Sequence, residues 1–365
     1  MTDPIASLDT VGSGSYAHDD VHVLLRPVRM PVTDVREKEH LIQTNRKHYS
    51  EMIGQELVPG EVHKQLYVST LARNGARMAA DVQRLAQALD RTCAGGSVVL
   101  VSFVRAGLPL GVLLRRALLG LGREVHHYGI SIVRDRGIDQ VALEAIVLAH
   151  GAQNIVFVDG WTGKGAIAGE LERSLAGDPR FPGRPRLVVL ADPCGRAWMA
   201  ASAEDWVIPS GLLGATVSGL LSRSIWPAAG GLHGCMMYEH LHEHDVTRTF
   251  IEHIEQERRG LGGIQAVLPW TSAQRQSLRM VADAVIGGFS ARYSIGNPNR
   301  VKPGIAEATR AVLRRVPEQV LVRDRSDRDV QLLLHLASSL GVKVEEVGAE
   351  LGPYRALTLI RSANR

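Results

Sequence analysis

The chain has 365 residues, 45% of them apolar, with 42 Lys and Arg against 38 Asp and Glu, which is enough to bury a core, is too long for one ordinary domain, and excludes disordered and fibrous classes. Aromatic residues make up only 5% while glycine reaches 37, a bias that favours α/β architecture with tight strand-to-helix turns over an aromatic-rich β sandwich. The excess of +4 is confined to residues 300–365, which hold 12 Lys and Arg against 8 Asp and Glu, so an anionic partner is sought at that end of the chain.

The first residues, Met1-Thr2-Asp3-Pro4, lack the basic and apolar regions of a secretory signal. Val21 to Leu25 reads as a short strand, Lys38 to Ile53 as a polar helix, and His63 to Leu89 as a long helix with apolar residues near helical spacing. After Gly95-Gly96 come apolar runs at 98–103, 128–133, 155–158 and 187–191, alternating with helical patterns at 108–119, 141–149 and 166–175. Short β-branched strands alternating with crossover helices predict a parallel sheet covered on both faces. Ligands of such sheets bind at the carboxyl ends of the strands, which directs attention to the loops after Phe103, Val133, Val158 and Ala191.

Residues 205–245 are less regular, and the Gly-rich run 260–263 ends a helix suggested over His244 to Arg259. Asn297-Pro298-Asn299 and Pro303-Gly304 mark a boundary. Beyond it the pattern is helix 305–315, strand 319–323, helix 327–340, strand 342–347 and strand 356–361, a small α/β unit near the lower size limit for independent folding. The division is therefore 15–255, a connecting segment 256–299, and 300–365. No apolar run approaches the roughly 18 residues of a membrane span, since the run ending at Val104 stops at Arg105. Three scattered cysteines, Cys93, Cys194 and Cys235, make no disulfide framework. These features predict a soluble cytoplasmic protein without a membrane partner.

The strongest chemical signal is the strand Ile155 to Val158 running into Asp159-Gly160-Trp161-Thr162-Gly163-Lys164-Gly165 and then a helix. An apolar strand ends on a carboxylate, and the following small-residue loop opens a helix whose free N–H groups suit a phosphate. It is not a Walker A loop, because Val158 and Gly165 stand where that motif needs Gly and Ser or Thr. The plain alternative is a Gly-rich turn that only connects strand to helix. The loop resembles the phosphoribosyl-diphosphate (PRPP) loop of type I phosphoribosyltransferases. Upstream, Ser102, Val104, Arg105, Ala106 and Gly107 resemble that family's diphosphate loop, and Arg134, Arg136 and Asp139 lie where its mobile catalytic loop falls. The three loops occur in the family's order. The resemblance implies that Asp159 orients ribose and meets Mg²⁺, that Gly160 to Gly165 hold the 5′-phosphate, and that Arg105, Arg134 and Arg136 hold the diphosphate. Asp192 and Cys194, at the next strand end, are expected in the pocket of an unidentified acceptor. The family usually carries two adjacent acidic residues, whereas here Gly160 follows Asp159.

A wider match runs through Tyr49-Ser50-Glu51-Met52, Arg134 to Asp139, Asp159 to Gly165, Ile208-Pro209-Ser210-Gly211 and Ser218 to Arg223. These stretches resemble the StiP-type family of bacterial tellurite-resistance and stress gene clusters, labelled cysteine proteases and elsewhere described as phosphoribosyltransferases of a nucleoside-like pathway. Val301 to Arg310 and Val320 to Asp324 resemble the Pelota/L7Ae-type domain, which implies contacts to structured RNA by Lys302, Gly304, Glu307, Arg310 and Arg323. Arg314 is a further candidate phosphate contact, although Arg314, Arg315 and Arg328 read equally as a solvated helix face. The expected fold is thus a type I phosphoribosyltransferase-like parallel sheet with a C-terminal α/β Pelota/L7Ae-like domain. The expected activity is PRPP- and Mg²⁺-dependent ribosyl transfer by a homo-oligomer. A non-catalytic PRPP or nucleotide sensor that binds RNA is the alternative. Thiol peptidase chemistry would need Cys235 paired with a histidine of the run His233 to His244. The same run offers His240 and His244 at metal-ligand spacing, against the plain reading of solvated helix histidines.

Overall fold

The computed structural model describes residues 4–93 and 95–362. Met1 to Asp3, which carry part of the signal-peptide reading, lie outside the described residues. The chain begins with β1 (His22–Val23), β2 (Arg26–Pro27), α1 (Val35–Gln43) and the long α2 (Glu61–Thr92). It continues through β3 (Val98–Phe103), α3 (Gly107–Gly120), β4 (Val125–Ile130), β5 (Ile132–Val133), β6 (Gly137–Ile138) and α4 (Gln140–His150). Next come β7 (Ile155–Val158), α5 (Ala166–Leu175), β8 (Leu187–Ala191), β9 (Met199–Ser202), β10 (Gly234–Cys235) and α6 (Thr247–Arg259).

Six of these strands form a parallel sheet in the order β1-β4-β3-β7-β8-β9. Strand side chains alternate between faces, and the core divides accordingly. Val98, Leu100, Val156, Val158, Val188 and Leu190 pack with α2 and α3, whereas Val99, Val101, Phe103, Ile155, Phe157 and Val189 pack with α4 and α5. The near-continuous apolar runs of the sequence thus follow from burial on both faces.

The chain moves from β3 to β4 on one side and then crosses to β7 on the other. The strand order reverses between β3 and β7, which opens a crevice at their carboxyl ends. The loops after these two strands touch. A Cβ at Gly107 would run into the Val158 carbonyl, and one at Gly160 would come within 2.9 Å of the Ala106 carbonyl. Glycine is required at Gly107 because backbone occupies the place of a side chain.

The segment expected to be a connection contains α7 (Ser272–Arg292), and the C-terminal unit follows as β11 (Val301–Pro303), α8 (Ile305–Arg314), β12 (Pro317–Val322), α9 (Gln331–Ser339), β13 (Lys343–Glu346) and β14 (Ala356–Ile360). Its sheet order is β11-β14-β12-β13, with only β12 and β13 parallel. One face takes α8 and α9, and the other packs Leu321, Leu357 and Leu359 against Ala282 and Phe289 of α7. The unit is seated on the first one. Asp205 accepts from Ile305 N at 3.0 Å and Arg355 N at 2.8 Å, and Tyr354 Oη donates to Gly163 O at 2.9 Å. Among the described residues no helix is long and apolar enough to cross a membrane.

Candidate functional site

The crevice at the β3/β7 reversal is a cleft of about 340 Å³ between the two units. The first unit contributes Val104, Arg105 and Ala106 after β3, Arg134 after β5, and Asp159 and Trp161 to Gly165 after β7. The second contributes Lys302, Pro303, Glu307, Arg310, Ala311, Arg314 and Arg315. With Lys38, Lys164 and Arg223, nine cationic side chains face two carboxylates, Asp159 and Glu307.

Several of these cations are held by protein groups. Arg105 pairs with Glu56 at 2.8 Å and donates to Leu221 O at 2.9 Å. Arg223 donates to the carbonyls of Tyr49 and Met52, and Lys164 to those of Pro298 and Val301. Arg315 pairs with Glu39, and Arg314 reaches Glu56 at 3.7 Å. Burial would raise Glu56, but Arg105 and Arg314 overcome it and hold the carboxyl at about 2. Among the described residues Lys38, Lys302 and Arg310 make no ion pair and no side-chain hydrogen bond, and Arg310 lies over the Trp161 ring at 4.4 Å.

Crowding shows in the titration of the cleft. Burial, reinforced by neighbouring cations, lowers Lys302 to about 7 and both Lys38 and Lys164 to about 8. It also pushes Arg223, Arg310 and Arg314 below the usual guanidinium range. Two like charges roughly 8 Å apart at an effective dielectric near 20 repel by about 2 kcal/mol, so such a set favours a bound anion. Asp159 runs the other way, lifted to about 7 by burial against the Gly160 N–H and Arg310.

Not every residue expected at the site reaches the cleft. Ser102 is buried, with its hydroxyl 2.8 Å from His127 Nε2. Arg136 pairs with Glu51 and stacks over Trp226. Asp139 caps α4 through Ala142 N at 3.0 Å and accepts from His233 N at 2.6 Å. Asp192 and Cys194, expected in an acceptor pocket, lie behind the loop. Asp192 accepts from the Thr162 hydroxyl, Arg196 N and Ala197 N, and Cys194 Sγ is 3.2 Å from Thr162 Oγ1. Of the residues expected to meet RNA, Lys302, Glu307 and Arg310 face this cleft. Gly304 turns into α8 at φ +89° beside Asp205, and Arg323 donates to Gly352 O. Arg314, expected either as a phosphate contact or on a solvated helix face, also lines the cleft; Lys38 and Arg315 carry no local mark of it, being a lysine in a polar helix and an arginine on a helix face.

The donor set does not fit the expected Mg²⁺. Asp159 is one half-buried carboxyl, its pKa lifted to about 7, and it is surrounded by cations. No group of three or more His, Cys, Asp or Glu able to hold a metal occurs among the described residues. His240 instead bonds Glu56 O at 2.9 Å.

The thiols are all buried, and burial pushes each of them up. Cys235 Sγ lies 3.6 Å from Ser222 Oγ, the residue that precedes Arg223 and Ser224 of the cleft wall in the chain. Two residues away, His233 Nδ1 is 2.6 Å from Ser131 Oγ. Among the described residues no hydrogen bond joins a cysteine to a histidine.

Residues 14–255 match a family model described as "Tellurite-like stress resistance cysteine protease StiP", and residues 280–362 match one described as "PELOTA RNA binding domain". A protein of Acinetobacter baylyi (strain ATCC 33305 / BD413 / ADP1), named "Cysteine protease StiP", is 48% identical over 366 residues, covering 97% of this chain and 95% of its own. No solved structure matches the chain. These matches overturn the expected phosphoribosyltransferase activity and its PRPP-dependent glycosyl transfer. The departure at Gly160 agrees physically with that correction, since a single half-buried carboxyl stands where the acidic pair is expected.

Proposed function

Because this chain belongs to the StiP family, we propose that it is a cysteine-dependent peptidase of a stress response, with Cys235 as nucleophile and His233 as base. The observation that carries the assignment is local. Strand residues two apart share a face, so β10 and the residue before it present His233 and Cys235 on the same side. Ser131 holds Nδ1 of that imidazole, and among the described residues Nε2 has no partner. Asp139 fixes the His233 backbone. A base oriented through one ring nitrogen and open at the other is the arrangement that thiol activation requires. Neither Cys93 nor Cys194 has a histidine so placed in sequence.

The resting thiol is covered and neutral, and burial lowers the His233 pKa as well. Thiolate formation therefore needs the Ser222 to Ser224 wall to move, which would let water and His233 Nε2 reach Sγ. Substrate enters from the cleft side of that wall.

The test is hydrolysis of a fluorogenic peptide library by the full chain, with iodoacetamide mapping of the reactive cysteine. Cys235→Ser and His233→Gln are expected to abolish turnover with the native fold retained by circular dichroism, while Cys93→Ala and Cys194→Ala keep turnover. Full activity in the variant lacking all three cysteines would overturn the assignment.

A further inference from the structure

We infer that the cleft is a binding site for a small phosphate-type polyanion whose ligands include Lys302 and Arg310, so that the C-terminal unit completes the site instead of acting as a separate RNA-binding module. The inference does not depend on thiol chemistry. It concerns what the cleft holds.

Three observations converge. The first is stoichiometric: nine cations face two carboxylates in about 340 Å³, a volume suited to a small ligand and not to a duplex. The second is the state of the cations. Glu56 and Glu39 satisfy Arg105 and Arg315, whereas Lys38, Lys302 and Arg310 converge from α1, β11 and α8 with no anionic partner of their own among the described residues. Arg310 is held over Trp161 with its Nε buried and unpartnered, so its charge is positioned by stacking and left without a carboxylate. The third is the loop opposite. Thr162 is pinned by Asp192, and Gly163 is pressed so closely against Pro303 and Glu307 that a Cβ would approach each to 2.8 Å. The backbone of this loop and the cations of the second unit therefore form one wall.

Phosphate groups suit such a site because they accept several charge-assisted hydrogen bonds at once. A free anion occupying it covers Lys302 and Arg310, which removes them from any RNA-binding face.

Calorimetric titration of the full chain with tripolyphosphate, at constant ionic strength, tests the site. Expected are saturable binding at pH 7.5, a loss of tenfold or more in Lys302→Gln and in Arg310→Gln, and wild-type affinity in the exposed control Lys343→Gln. Each cleft variant is expected to melt at or above the wild-type temperature without ligand, because a like charge has been removed from a crowded set. On the unaltered protein, tripolyphosphate is expected to protect Lys302 from acetic anhydride, read by mass spectrometry. Absence of saturable binding, or unchanged affinity in both cleft variants, would overturn the site. A structured RNA that binds through Lys302 and is not displaced by tripolyphosphate would also overturn it, in favour of an RNA surface.

Discussion

At Gly111 the α3 backbone lies against the Ser102 hydroxyl and the His127 ring, with no room for a Cβ. The Ser102–His127 pair has the look of a nucleophile and its base. It is sealed under α3, and His127 Nδ1 is held 2.8 Å from the Asp20 carbonyl, so it anchors the end of β3 and does no chemistry. Gly111→Ala is expected to cost at least about 2 kcal/mol by overpacking, seen as a lowered urea midpoint. Burial pushes His127 from 6.5 to about 4. The unfolded chain binds that proton more readily, so the neutral ring's stabilisation is complete above pH 6.5 and is lost as pH falls toward 4. Its full span is about 3 kcal/mol. His127→Gln, which cannot titrate, is expected to lose less stability than wild type between pH 7 and 4.5 in denaturant titrations. The loop from Asp159 to Gly165 stood out in the sequence because Gly, Thr, Lys and Asp are rarely adjacent by chance after a strand. Lys38 had no such mark, since only folding carries α1 to the cleft.

The elements divide by how much of their burial is written locally. β7, α5 and β8 have the boundaries expected from their patterns, because burial on both faces of a strand and one face of a helix leaves a periodic trace. Helix α7 leaves little periodic trace in the sequence, since only Ala282 and Phe289 are fully buried along its 21 residues, although Thr271 and Gln274 form a capping box at its start. Strand β11, three residues ending on proline, exists only through pairing with β14. The polar helix expected over 38–53 stops at Gln43, and the chain turns at Asn45 with φ 54°. Entry into α8 depends on the other unit. Its first turn is capped by Asp205 and not by a side chain of its own. Asp205→Ala would leave the buried Ile305 and Arg355 amides without their acceptor. A loss of about 2 kcal/mol or more is expected, together with weakened tripolyphosphate binding as α8 loses its position, measured by denaturation and calorimetry on the same variant.

Over the whole molecule one apolar cluster runs from α2 and α3 through Trp206 and Ile208 into Ile305, Val312, Val330 and Leu332 of the C-terminal unit. Arg73 pairs with Asp329 at 3.0 Å across the same boundary. Cores that share side chains unfold together. Scanning calorimetry is therefore expected to give a single transition with equal calorimetric and van't Hoff enthalpies; two separated transitions would show that the units are energetically independent. The sequence by itself determined the parallel sheet, the glycine-rich loop after β7, the C-terminal α/β unit and its excess of basic residues, because these follow from periodicity and turn chemistry within a few residues. Tertiary structure alone decided that Lys302 and Arg310 face inward, that Asp192 and Cys194 sit behind the loop, and that Cys235 is fully buried against Ser222. Those outcomes depend on how two cores dock, and docking energy is spread over contacts a hundred or more residues apart that leave no local pattern.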